Sequence, residues 1–262
     1  MDRTQKVREA YLKQDVDEMK RHHTKAIIQK SLSHKEHHKT QFNLPEIILG
    51  GQDGLVNVLG VILGIAAATS STQLVIIAGL AATFAESISM AAVAYTSTIA
   101  EADYYQSEYE REKWEIQHVP DAEREEVRVL YRSYGFKGKI LEDIVETICS
   151  NPEIWLRVMM EQELKLEPVS RSEALSAALI VGVSALVGSF VPLTPYFFLP
   201  IEQATIWGLI ISAFTLFSVG FYKAKKTLGR QLLKQGMEMM IIGMVSALVG
   251  YFIGSLFKVP PM

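Results

Sequence analysis

The chain has 262 residues, of which 49% are hydrophobic and 21% are charged, and its formal net charge is −3 at pH 7. Its single cysteine, Cys149, excludes an intramolecular disulfide and any zinc or iron–sulfur site built from several cysteines. The small net charge conceals an asymmetry. Residues 1–45 carry ten Lys/Arg against six Asp/Glu, whereas residues 101–170 carry nine against seventeen, so the two polar parts are electrostatically different.

The first element is the basic segment 1–45, which contains five of the six histidines. They are His22, His23, His34, His37 and His38. A histidine tract can bind transition metals weakly or respond to pH. The accompanying lysines and arginines favour another interpretation, an amphipathic segment that lies on an anionic inner leaflet. The apolar run that follows lacks the short core and small-residue cleavage site of a secretory signal peptide.

Five apolar runs are long enough to cross a hydrocarbon core of roughly 30 Å as helices. They cover residues 47–70, 74–100, 174–193, 204–222 and 237–257. The charged exceptions within them are Asp53, Glu86 and Glu238. This pattern predicts an all-α membrane protein with five transmembrane helices, two before the acidic part of the chain (46–100) and three after it (171–262).

The carboxylates of the first two runs are the most informative residues there. A carboxylate at membrane depth costs at least ~2.5 kcal/mol unless it faces a partner or water. Asp53 and Glu86 therefore predict a cation site or a proton relay, and the alternative is a helix end at the membrane surface. Met90 follows Glu86 by four residues and shares its helical face, which adds a thioether.

Small residues recur along the same runs. The stretch Gly50-Gly51-Gln52-Asp53-Gly54 allows a kink or broken turn whose carbonyls coordinate a cation, and its spacing does not match a phosphate-binding loop. The motif Val-Ser-Ala-Leu-Val-Gly occurs at 183–188 and again at 245–250. Together with the pairs Gly60/Gly64 and Gly250/Gly254, it predicts close helix packing in a tight bundle or a dimer.

The acidic insert, residues 101–170, is predicted to be helical. Residues 101–117 extend the second span until Pro120 interrupts the helix, and residues 121–134 and 141–150 form the next two helices. Asn151-Pro152 begins a fourth, with a capping Asn and a Pro in its first turn, which is expected to run to about residue 166.

Carboxylates and methionines fall on common faces of these helices. The three groups are Glu108, Glu112 and Glu115; Glu123 and Glu126; and Met160, Glu163 and Glu167. Carboxylate oxygens suit Mn²⁺ and Fe²⁺, and a Met sulfur favours the softer first-row metals over Mg²⁺ or Ca²⁺. The alternative is a solvated acidic face paired with neighbouring Arg and Lys side chains.

Loop charges predict the orientation, because Lys and Arg accumulate on the cytosolic side. The connection 223–234 after the fourth run is strongly basic, whereas the loops 70–73 and 191–202 contain neither Lys nor Arg. Five spans then place the N-terminus and the insert in the cytosol and the C-terminus outside.

The sequence resembles the vacuolar iron transporter family from residue 52 to residue 257. The motifs that carry the resemblance are Asp-Gly-Leu-Val at 53–56, Ser-Ile-Ser-Met-Ala-Ala at 87–92, Tyr-Glu-Arg-Glu-Lys-Trp-Glu at 109–115, and Met159-Met160 followed by Glu163-Leu164. The resemblance implies a dimer that exchanges cytosolic Fe²⁺ or Mn²⁺ for protons, with Asp53 and Met90 lining the path at the dimer interface. It also implies a cytosolic metal cluster of Glu112, Glu115, Glu123, Glu126, Met159, Met160 and Glu163.

One position departs from the family pattern. Members of the family often carry a Glu two turns before the Met of the second span, where this chain has Ala82, and Glu86 lies one turn before it instead. Positions 82, 86 and 90 share a helical face, so the carboxylate has moved along that face.

These features predict a homodimeric transporter of Fe²⁺ or Mn²⁺ out of the cytosol by metal/proton antiport, without a prosthetic group and without enzymatic activity. Its membrane is the plasma membrane in a prokaryote and the vacuolar membrane in a eukaryote. A non-transporting metal sensor or scaffold is the alternative. A di-iron oxidase ranks last because such a site needs Glu-x-x-His spacing on two helices, and the sequence has it once, at residues 115–118. No nucleic-acid-binding module is present.

Overall fold

The computed structural model describes residues 44–227 and 231–257, together with scattered positions between 7 and 27. The early positions include a short helix, Val16–Arg21, and the five N-terminal histidines lie outside the described residues. The described part of the chain is helical and contains no strand. The predicted all-α class is therefore confirmed.

Eight helices follow one another in this part of the chain. They are α1 (Leu44–Ala68), α2 (Thr72–His118), α3 (Pro120–Ser133), α4 (Gly138–Cys149), α5 (Pro152–Val158), α6 (Ala174–Leu193), α7 (Ile201–Thr227) and α8 (Leu232–Leu256). Five of them, α1, α2, α6, α7 and α8, are long and apolar enough to cross a membrane. The side chains exposed on these helices include large apolar ones such as Ile77, Ile88, Phe214 and Phe252, as expected of surfaces that face lipid.

Helix α2 is much longer than a membrane is thick. Its 47 residues begin after Ser71, whose hydroxyl accepts a hydrogen bond from the Leu74 amide, and end at His118. Pro120 cannot donate a backbone hydrogen bond and starts α3 instead. The predicted continuation of the second span into the insert is thus confirmed.

The chain divides into two compact units, residues 1–89 with 180–262 and residues 90–179. In the first unit, α1 contributes more buried residues to the apolar core than any other helix. Val58, Leu59, Ile62 and Leu63 are all buried there, together with Tyr196 from the turn after α6. A hydrogen bond of 2.9 Å joins the Tyr196 hydroxyl to Thr205 of α7. Helix α1 is therefore the central helix of this unit.

Glycines let two other helices approach α1 closely. A Cβ added at Gly50 or Gly54 would collide with the backbone of α6, and one added at Gly250 or Gly254 would collide with the backbone of α1 at Gly60 or Gly64. Each copy of the repeated motif therefore packs its glycine against α1, which confirms a tight bundle within one chain. The broken turn that the glycines near Asp53 would allow does not occur, because α1 is helical throughout Leu44–Ala68.

Replacing Gly50 by Ala is expected to lower the thermal stability of the detergent-solubilised protein, because the new methyl group overlaps the Val181 carbonyl oxygen. Overpacking of this kind costs about 1–3 kcal/mol. Gly51→Ala is the matched control, since its Cβ would lie at an ordinary 3.5 Å from the Ser184 carbonyl oxygen. Thermal unfolding followed by circular dichroism compares the two, and equal midpoints would contradict the packing described.

The second unit contains its own apolar core, built from α3, α4 and α5. Val127, Val145, Ile148 and Trp155 are buried in it. The side chain of Asn151 caps α5 as predicted, accepting from the Glu153 and Ile154 amides at 3.0 and 3.3 Å.

The fourth insert helix is shorter than predicted. Its α-helical part ends at Val158, and a π-helix, Met159–Glu163, completes it. Lys165 then adopts a left-handed conformation with φ 56°, which ends the helix before residue 166.

Candidate functional site

Three carboxylates of the second unit lie close together. Glu112 and Glu115 come from the last turns of α2, and Glu123 comes from the first turn of α3. One oxygen from each lies within 4.8 Å of the others. The i, i+3 spacing puts the first two on one face of α2, and the break at Pro120 turns the chain so that Glu123 faces them. These residues are called the carboxylate cluster below.

Two members of the carboxylate cluster are buried. The exposed fractions of Glu112 and Glu123 are 2% and 3%, and the Oε2 atom of each has no hydrogen-bond partner among the described residues. Buried polar atoms are nearly always satisfied, so these two oxygens without a partner make the cluster a candidate cation site.

The buried members resist ionisation. Burial raises the pKa of Glu112 to about 7; the charge of Arg111 opposes the shift and repulsion from Glu163, Glu115 and Glu126 adds to it. Burial also raises the pKa of Glu123 to about 7, with repulsion from Glu126 and Glu112 as further causes. Near neutral pH each group is therefore protonated in part of the molecules, and a cation that binds it displaces that proton.

Glu126 and Glu163 form a second acidic pair beside the cluster. Burial raises the pKa of Glu163, and the negative charge of the neighbouring Glu126 is the next cause. Both residues line one cavity between α3 and the π-helix. The structure thus brings five of the predicted carboxylates into one electrostatic neighbourhood.

The remaining predicted ligands of the insert lie elsewhere. Glu108 is paired with Arg111 at 2.8 Å, and Met159 packs in the apolar core with Val127 and Trp155. Met160 lines a separate cavity with Tyr105 and Tyr109. The helical face predicted for Glu167 does not exist, because the helix ends before it and its side chain is exposed.

The first unit contains a polar group at membrane depth. The side chains of Asp53 and Asn57, both on α1, lie next to that of Glu86 on α2. The Asn57 amide is the one group of the three that can donate a hydrogen bond to an ionised carboxylate. Asn57 was not predicted; its position four residues after Asp53, on the same face of α1, is the signal that would have found it.

A small cavity opens beside this polar group. Its volume is about 260 Å³, and Gln52, Asp53, Ile242 and Ser246 are among the residues that line it, between α1 and α8. Asp53 and Glu86 are half-buried and Asn57 is exposed in the single chain. The polar group is thus accessible from the surface of the first unit.

The two other residues of the predicted path occupy different surroundings. Met90 is the first residue of the second unit and is half-buried. Ala82 packs against the apolar core of the first unit. An apolar side chain therefore fills the position where the resemblance expects an acidic one, and Glu86 supplies the carboxylate.

The chain is similar to known proteins over most of its length. The model of the VIT family matches residues 44–255. A vacuolar iron transporter of Centaurea cyanus is 34% identical over 220 residues, which cover 83% of this chain and 89% of the relative. Vacuolar iron transporter 1 of Arabidopsis thaliana is 32% identical, with 83% and 88% covered, and the vacuolar iron transporter of Plasmodium falciparum is 29% identical, with 98% and 97% covered.

Proposed function

Since the chain belongs to the VIT family, we propose that this multi-pass membrane protein transports Fe²⁺ and Mn²⁺ out of the cytosol in exchange for protons. The observation that carries the proposal is the carboxylate cluster, with its two buried and unsatisfied oxygens. The same helix, α2, carries Glu112 in the second unit and Glu86 in the first.

The ligand atoms of the proposed site favour particular transported metals. Carboxylate oxygens suit Fe²⁺ and Mn²⁺, and thioethers add affinity for the softer of the first-row metals. We assign Glu112, Glu115 and Glu123 as the primary ligands, with Glu126 and Glu163 beside them. The resemblance also implies sulfur donors, which are Met159 and Met160 in the insert and Met90 in the membrane. These side chains would have to rotate to bind the metal.

Proton exchange follows from the chemistry of Asp53 and Glu86. A divalent cation that binds both carboxylates must displace any proton bound to them. Release of the metal on the other side then leaves two carboxylates that take up a proton again. Metal and proton therefore occupy the pair alternately, which is the requirement for antiport.

A second copy of the chain is the proposed cover for this polar group. An ionisable side chain that faces lipid costs several kcal/mol, and Asp53, Asn57 and Glu86 all retain access to the surface of a single chain. A homodimer that encloses them between two α1 helices would remove that cost and would line a path with the polar groups of both copies.

The basic stretch 223–234, which includes the end of α7 and the start of α8, supports an orientation with the insert, residues 101–170, in the cytosol. The names of the relatives refer to a vacuole. For this chain we propose the same direction of transport, into a vacuole in a eukaryotic cell and across the plasma membrane in a prokaryotic one.

Metal flux into proteoliposomes tests the function. With the lumen more acidic than the medium, Fe²⁺ under anaerobic conditions or Mn²⁺ should enter vesicles that contain the protein, and the lumen should become more alkaline at the same time. Metal entry without proton movement would contradict antiport. Metal binding without any entry would favour the sensor alternative.

A further inference from the structure

Arg111 lies within the carboxylate cluster although it cannot bind a metal. Its guanidinium Nη2 is 2.7 Å from Glu112 Oε1, and its Nη1 is 2.6 Å from Glu115 Oε2. The side chain therefore forms ion pairs with two of the three proposed primary ligands. A cation that binds these carboxylates must either displace the guanidinium or bind beside its positive charge.

Glu108 offers the guanidinium another partner. Its Oε2 accepts from Arg111 Nε at 3.1 Å and from Nη2 at 2.8 Å, one turn before the cluster on the same helix. Glu108 is not one of the three residues of the carboxylate cluster. Arg111 can therefore release Glu112 and Glu115 by a small rotation while it keeps its contact with Glu108.

We propose that Arg111 is an internal counter-ion that competes with the metal for Glu112 and Glu115, and that Glu108 retains its guanidinium when the metal is bound. The proposal rests on the function proposed above, because it concerns the same carboxylates. It makes Glu108 a positioning residue for Arg111 rather than a metal ligand. Without metal, the guanidinium offsets the mutual repulsion of the clustered carboxylates and keeps weakly attracted cations from the site.

Mn²⁺ binding to the purified full-length protein in detergent tests the proposal, with free Mn²⁺ measured by electron paramagnetic resonance. Arg111→Gln is expected to bind Mn²⁺ on the order of tenfold more tightly, because one positive charge within contact distance of the ligands is removed. The matched control is Arg128→Gln. Arg128 pairs with Glu142 at 2.9 Å and with Glu125 in the same unit, and its loss should leave the affinity unchanged.

The Glu108→Gln variant distinguishes a Glu108 that holds Arg111 from a Glu108 that binds metal. It also provides a test in the wild-type background, where Arg111 is unchanged. As a retainer of Arg111, Glu108 matters only while the arginine is present. The variant should weaken Mn²⁺ binding severalfold in the wild-type background and have no effect in the Arg111→Gln background. Equal weakening in both backgrounds would make Glu108 a ligand and overturn its assigned role.

The outcomes distinguish this proposal from the proposed function. Unchanged or weaker Mn²⁺ binding by Arg111→Gln, with a wild type that binds, overturns the counter-ion role and leaves the metal cluster intact. Mn²⁺ binding by Arg111→Gln but not by the wild type supports the counter-ion role, because Arg111 would then exclude Mn²⁺ altogether. If neither protein binds, both proposals fall.

Discussion

Replacing Asp53 or Glu86 by its amide is expected to lower metal flux into proteoliposomes by about two orders of magnitude. Each change keeps the shape and hydrogen-bonding capacity of the side chain and removes one negative charge from the path. The loss of roughly 3 kcal/mol of attraction for a divalent cation at membrane depth corresponds to about a hundredfold in rate. The initial rate of Mn²⁺ entry under an inside-acidic gradient is the measurement.

Glu238→Gln provides a matched control, because Glu238 is an exposed carboxylate of another span and does not line the cavity beside Asp53. Its flux should equal that of the wild type. Asn57→Val should reduce flux less than loss of Glu86, since it removes a neutral polar group beside that side chain and no charge. Wild-type flux in Asp53→Asn and Glu86→Gln would overturn the assigned path.

The architecture was predictable because hydropathy and loop composition are properties of short stretches of sequence. Each apolar run maps onto one helix, and the absence of Gly and Pro between residues 101 and 117 correctly predicted that α2 continues beyond the span. The π-helix at Met159–Glu163 was not predictable. A π-helix is rare and occurs mostly as a short bulge within an α-helix, so local sequence pattern alone does not identify it.

The candidate site was predictable only along single helices. The spacing of Glu112 and Glu115 identified one face of α2, but their approach to Glu123 depends on the turn at Pro120. The sequence also gave no measure of burial, which separates Glu112 and Glu123 from the many solvated carboxylates of the insert. The role of Met159 in the apolar core, and that of Asn57 beside Glu86, likewise depend on contacts between helices.

The pH dependence of stability provides the second strong prediction, because Glu112 and Glu123 have a pKa of about 7 in the folded protein against an ordinary value of 4.5. Between pH 4.5 and 7 the folded protein binds protons that the unfolded chain has released. The free energy of unfolding therefore falls as pH rises through this window, and the whole decrease has occurred above pH 7. The metal-free insert should unfold at a temperature several degrees lower at pH 8 than at pH 5.5.

Bound metal should reverse this trend, because a divalent cation replaces the protons and compensates the ionised carboxylates. Saturating Mn²⁺ is expected to raise the unfolding temperature strongly at pH 8 and little at pH 5.5. Fluorescence of Trp114 and Trp155 reports on the insert once Trp207 of α7 is replaced by Phe. In the Glu112→Gln, Glu123→Gln double variant, the metal-free protein should become more stable at pH 8 and the effect of Mn²⁺ should disappear. A metal-free wild type that gains stability between pH 5.5 and pH 8, while the double variant does not, would show that these carboxylates ionise freely and would remove the physical basis for the cluster.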